Sequence, residues 1–237
     1  KAYEFRKNAG LSSEDPIRLK SLLTKLNVLT VYKPLSDRFS GMALKVGDNR
    51  FILVNANHSL GKQHFTICHE LYHLFIQENF TSMVCDTGRF DTSSGEEYHA
   101  DRFASILLLP ENGIKSLIPE EELSKDKVEL HTILKLEQYF SCSRSALLYR
   151  LKDLKLISAV SYDKYCGNVI NSAVQYGFPT DLYRPGNNGI TIGDYGELAR
   201  KLYENDLVSE SHYISLLYEL GMNVEYLNEL FDTNGQG

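Results

Sequence analysis

The chain has 237 residues, enough for one sizeable core or two modest ones, which excludes a disulfide-stapled miniprotein. With 43% hydrophobic and 24% charged residues it has the balance of a globular chain, and no apolar run approaches the roughly 20 residues that span a bilayer. A net charge of −6 argues against a whole-surface binder of nucleic acid or anionic membranes.

Over residues 16–29, Ile17, Leu19, Leu22, Leu23, Leu26 and Val28 recur at helical spacing, which predicts an amphipathic helix followed by a strand near 29–32. Two extended runs, 42–46 and 51–55, are joined by Gly47, Asp48, Asn49 and Arg50 and read as an antiparallel hairpin. Residues 62–77 contain no Gly or Pro, and Phe65, Ile67, Cys68, Leu71, Leu74 and Phe75 define one buried helical face. Residues 79–95 read as a polar connection. A second helix is predicted over 96–109 from Ala100, Phe103, Ala104, Leu107 and Leu108, with Pro110 as its stop. Acidic residues 119–122 suit a linker or a helix start. Two short helical patterns, Leu130–Phe140 and 143–154, are separated by Ser141 and Cys142 and have the dimensions of a helix-turn-helix. The remainder is Tyr-rich and loop-like until a last helical pair, Tyr195–Glu204 and 209–220. These elements predict an α+β fold, with a small sheet and a site helix in residues 1–125 and a mainly helical region in 126–237.

His69-Glu70-Leu71-Tyr72-His73, inside the first long helix, is an HExxH sequence. Four residues advance a helix by about 400°, so both imidazoles leave neighbouring points of one face and can share a tetrahedral zinc, with Glu70 beside it. Hydrolysis asks for a third protein ligand and an open fourth position. On the next helix the chain reads Glu97-Tyr98-His99-Ala100-Asp101. This ExxAD arrangement resembles the third-ligand segment of the gluzincin peptidases, the thermolysin-like group, which implies that Glu97 binds zinc and Asp101 orients a ligand histidine. Asp101 lies one turn beyond Glu97 on the same face, where it can accept the second ring proton of such a histidine. Glu96 competes for the ligand role but lies about 100° round the helix and outside the ExxAD spacing. The plainer alternative is a pair of polar surface histidines and a solvated acidic helix start, which suits the helix dipole.

Residues 41–110 together resemble the ImmA/IrrE metallo-endopeptidases. The matching segments are Ile52-Leu53-Val54-Asn55, then Gln63-His64-Phe65-Thr66-Ile67-Cys68 leading into the HExxH, then Glu97 to Ala104 leading to Leu107-Leu108-Leu109-Pro110. The resemblance implies a zincin-like core, Zn2+ as cofactor on His69, His73 and Glu97, Glu70 as general base, and Asp101 behind a ligand. It also implies a protein substrate, most plausibly a helix-turn-helix regulator. An edge strand pairs with extended substrate in the resembled fold, and residues 51–55 are expected in that role. Two positions depart from the pattern: Tyr72 stands where Gly is common, and His99 where a second acidic residue is frequent. The oxyanion donor is open among Tyr72, His64, Tyr98 and His99, none of which a spacing rule selects.

The second half offers a rival. Lys135, Arg144, Arg150, Lys152 and Lys155 stand against Glu137 and Asp153, a local excess of +3, and Ser143-Arg144-Ser145-Ala146 opens the second short helix where a DNA reader places base-contacting side chains. A DNA-binding regulator with a structural or vestigial zinc site is therefore the runner-up, ahead of a substrate-binding scaffold. Three net charges are few beside the 6 to 10 phosphate contacts of a typical binder, so packing of Leu147, Leu148, Leu151 and Leu154 against the core is the preferred reading. Cys68, Cys85, Cys142 and Cys166 are scattered without a CxxC, which points to a reducing, cytoplasmic setting; Cys68 reads as a small core residue. His58, His131 and His212 have no partner at ligand spacing. A first residue of Lys1 rather than Met is expected of a trimmed or truncated terminus.

Overall fold

Period-two apolar runs and one long amphipathic helix build the frame of the molecule, and a computed structural model describes it over residues 1–85 and 95–220. Helices α1 (Ala2–Asn8) and α2 (Leu19–Lys25) precede strands β1 (Val28–Lys33), β2 (Gly41–Val46) and β3 (Asn49–Asn55). The β2–β3 hairpin is tighter than the four-residue connection expected. Val46 pairs with Asn49, which leaves Gly47 and Asp48 as the loop, and Gly47 sits at φ +58°. A positive φ at the first central position is the demand of a type II′ turn, which glycine meets at least cost.

After the site helix α3 (Leu60–Phe75), residues 82–85 form β4 (Ser82–Cys85), and the sheet runs β4-β2-β3-β1-β5, the last being the two-residue β5 (Thr191–Ile192). Only β1 and β3 pair in parallel. This corrects two expectations. The segment 79–95 is not all polar connection, because its first part adds an antiparallel strand to β2; residues 86–94 lie outside the described part. The strand at 51–55 is not an edge, since β3 is bonded on one side to β1 and on the other to β2. Its apolar period fixes its faces, but neighbours in a sheet are chosen by the whole chain.

One face of the sheet, with Val28, Tyr32, Ala43, Ile52 and Val54 buried, packs on α3 and α2. Helix α3 buries the expected Phe65, Ile67, Cys68, Leu71 and Leu74, with Phe75 half-buried, and buries Thr66, His69, Glu70, Tyr72 and His73 as well. Along α3 lies α4 (Gly95–Leu108), whose Ala100 and Ala104 allow a close approach, with Phe103 and Leu107 filling the seam. Two later segments clamp the N-terminal end of α3. Buried Gln63 donates from Nε2 to the carbonyls of His58 (2.7 Å) and Gly186 (3.0 Å) and accepts from Asn187 Nδ2 (3.0 Å). At Gly61 an added Cβ would stand 2.6 Å from the Ser143 backbone nitrogen, so the start of a later helix presses on α3 there.

Past α5 (Glu111–Leu117) and a 3-10 turn (Glu120–Glu122) come α6 (Leu130–Phe140) and α7 (Arg144–Asp153). Ser141 takes the left-handed conformation between them, and Ser143 Oγ caps α7 by accepting from the Ala146 amide. The apolar core does not break at residue 125: Ile133, Leu136, Phe140, Leu147, Leu148 and Leu151 belong to the same buried cluster as Ile67, Leu71 and Leu107.

The stretch expected to be loop-like holds two more helices, α8 (Ala159–Tyr165) and α9 (Val169–Gln175), and a 3-10 turn (Asp181–Tyr183). Each helix has seven residues, and α8 buries none of them, so no apolar period announces it. The final pair, α10 (Tyr195–Glu204) and α11 (Glu210–Glu219), falls where predicted, with the Tyr203 and Tyr213 rings stacked at 4.8 Å. Among the described residues no helix is long and apolar enough to cross a membrane.

Candidate metal centre

Helical spacing on α3 and the packing of α4 against it bring His69, His73 and Glu97 together. His73 Nε2 lies 3.1 Å from His69 Nε2, and the Glu97 carboxylate oxygens lie 3.3 Å from each of those nitrogens. Ligand atoms about 2.05 Å from a tetrahedral zinc stand about 3.3 Å from one another, so the three side chains already have the spacing of such a site. Two imidazoles and a carboxylate are also a donor set that zinc favours, with a fourth position left for water or substrate. Among the described residues this is the one group of three or more His, Cys, Asp or Glu side chains able to hold a metal ion.

Burial makes this convergence consequential. His69, Glu70 and His73 are fully buried and Asp101 nearly so, while the Glu97 side chain keeps 23% exposure and marks the open side of the centre. Asp101 Oδ1 accepts from His69 Nδ1 at 2.9 Å, which turns Nε2 toward the centre. Desolvation disfavours a charged His69, but hydrogen bonds to Asp101 and Glu97 and the nearby Glu70 outweigh it and raise its pKa to about 9. Burial likewise disfavours the Glu97 carboxylate, yet hydrogen bonds with His69 and His73 hold its pKa down at about 2.

Glu70, adjacent to His69 on the helix, is held against the start of β2. A Cβ on Gly41 would fall 2.5 Å from Thr66 Cγ2 and 2.9 Å from Glu70 Oε1. Only glycine leaves that carboxylate its place. Nothing in the spacing of HExxH pointed to residue 41, because the contact joins a strand to a helix.

A family model, the IrrE N-terminal-like domain of peptidase M78, matches residues 23–152, more than half of the chain. The chain belongs to this family. The peptidase M78 match begins before β1 and ends within α7, so it spans strands β1 to β4, both site helices and the α6–α7 pair, and leaves β5 outside. This is a metallopeptidase family, and the His69, His73 and Glu97 group is suited to a metal ion. No curated protein matches the chain.

The remaining candidates separate clearly. Glu96 is not in the cluster; its Oε2 accepts from Tyr72 OH at 2.8 Å. Tyr72 borders the centre, edge-on to the His73 ring at 5.6 Å and packed on Phe103. His64 is drawn off to the Ser141 carbonyl at 2.7 Å, and burial lowers its pKa. Tyr98 hydrogen-bonds Arg102, and His99 is exposed. Cys68 is buried in the core, where desolvation pushes its thiol up to about 12. Arg144, the would-be DNA contact, is 3% exposed and ion-paired to Glu137, and Arg150 is buried with its Nε on the Leu109 carbonyl. Two of the five cations behind the local +3 therefore point inward.

Proposed function

We propose that the chain is a zinc-dependent endopeptidase that cuts a regulatory protein, with His69, His73 and Glu97 as zinc ligands and Glu70 as general base. The observation that carries this reading is the convergence of two imidazoles and one carboxylate at 3.1 to 3.3 Å, with a buried carboxylate next to them in sequence. When bound, zinc supplies Lewis acidity, which brings the pKa of water toward about 7 and polarises the carbonyl under attack. Glu70 then takes the proton of the attacking water on its carboxylate and returns it to the departing amine nitrogen. Asp101 keeps the Nδ1 proton of His69 in place through the cycle. Residues 41–110 resemble regulatory endopeptidases, which supports a helix-turn-helix protein as substrate and a cytoplasmic setting.

The test is metal analysis with site variants of the purified chain. His73→Ala is expected to lose zinc, and Glu70→Gln to keep it at one equivalent while cleavage of the substrate regulator disappears. Wild-type protein that retains no zinc after gel filtration from an equimolar mixture would contradict the reading.

A further inference from the structure

The two ligand histidines are backed differently. His69 donates its Nδ1 proton to a carboxylate, Asp101, at 2.9 Å. His73 has its Nδ1 2.5 Å from Oε1 of Gln77, the residue immediately past the C-cap of α3. Gln77 is not loosely placed there. Its backbone amide donates to the Tyr72 carbonyl at 3.0 Å, and the Ile76 amide donates to the same oxygen at 2.8 Å, which fixes the chain as it leaves the helix. The His73 ring is held on its other sides by Phe80, stacked at 5.3 Å, and by Tyr72, edge-on at 5.6 Å. An amide oxygen has only lone pairs to offer, so the ring nitrogen facing it carries a proton, and Nε2 is the nitrogen turned toward His69 and Glu97.

We propose that Gln77 is a positioning residue of the metal centre: its amide oxygen holds His73 in the tautomer and orientation that present Nε2 to the ion. It does for His73 without charge what Asp101 does for His69 with one. The lack of charge has a physical reason. Glu70, Glu97 and Asp101 already place three carboxylates around one divalent ion, and a fourth would leave a buried excess of negative charge to be desolvated. This inference rests on the metal-binding reading above.

The test uses the full chain and zinc alone. Zinc affinity is measured at fixed pH by competition with a chromophoric chelator for wild type, Gln77→Met and Gln77→Glu. Removing the acceptor in Gln77→Met is expected to weaken binding by about 10- to 100-fold, the usual effect of losing such a partner, while Gln77→Glu restores the acceptor and binds at least as tightly as wild type. Long-range 15N–1H NMR of the metal-free wild type is expected to find a proton on His73 Nδ1, and this readout holds even if Gln77→Met fails to fold. Gln77→Met binding within twofold of wild type, Gln77→Glu as weak as Gln77→Met, or a His73 Nδ1 that carries no proton overturns the proposal. Wild type that takes up no zinc fails earlier, on the metal reading itself, and this inference falls with it.

Discussion

Two clusters of buried charge differ in how completely the chain answers them. Around Arg144, at the start of α7, the Nε and Nη2 groups pair with the Glu137 carboxylate, Nη2 also reaches Ser172 Oγ (3.2 Å), Nη1 donates to the Tyr165 carbonyl (2.9 Å), and Tyr183 OH donates to Glu137 (2.6 Å). One cation meets one anion, and backbone and hydroxyl groups complete the shell. Around His69 three carboxylates, Glu70, Glu97 and Asp101, share the space with two imidazoles. That cluster is short of positive charge. A closed cluster asks nothing from outside and holds helices together, whereas an open one is fitted to receive an ion.

The sharpest way to break this comparison is to open the closed cluster. Arg144→Met leaves Glu137 buried without its cation, and burial already pushes that carboxyl above its usual pKa despite the pull of Arg144 and Tyr183. Losing one partner of a buried pair costs about 3 to 5 kcal/mol. Urea unfolding of the metal-free variant is expected to show a loss of that size. A loss below about 1 kcal/mol would mean that the pair is not the clasp described here. If the variant folds, its zinc stoichiometry should match wild type, because Arg144 spends its hydrogen bonds on Glu137, Ser172 and Tyr165.

The opposite change is expected in the open cluster. Asp101→Asn removes charge but little volume from behind His69, so the metal-free fold should hold while zinc affinity drops by about 10- to 100-fold, or roughly 1.4 to 2.7 kcal/mol. Chelator competition measures the first effect and thermal unfolding without metal the second. A variant that melts far below wild type yet binds zinc normally would reverse the roles assigned to the two clusters.

How much of this was legible in the sequence follows the same division. Elements with a wide apolar face, α3, α4, α6 and α7, lie within a few residues of their predicted places, because burial of Leu71, Leu107 or Leu147 leaves a periodic trace. Strand order left none: the period of Ile52 and Val54 marks two faces but not two neighbours, so β3 was expected at an edge. Strands of two and four residues and seven-residue helices are too short to carry a period, and β4 and β5 pair with strands distant in sequence. At the centre, helical spacing paired His69 with His73, and the resemblance of the ExxAD segment brought in Glu97 and Asp101. Gln77, four residues past His73, obeys the same rule, yet it stands beyond the helix end and outside any motif. Charge counting misled at Arg144, since composition records a sign and not the direction in which a side chain points.

The smallest effect sharpens the comparison from outside it. Lys33 on β1 and Glu219 on α11 form an ion pair at 3.4 Å with side chains 42% and 53% exposed. Water screens both groups, so the pair supplies little of what attaches the last helix. Its helical neighbours do more: Leu217 and Ala199 are buried, and the Tyr203 and Tyr213 rings stack almost parallel. Replacing Lys33 by Met is therefore expected to change stability by less than about 1 kcal/mol. Measured beside Arg144→Met under the same conditions, the two substitutions remove one cation each and differ in burial and in the hydrogen bonds that Arg144 also makes to Ser172 and Tyr165. Equal losses would show that pairing alone sets the cost; a several-fold difference assigns it to desolvation of the anion left behind.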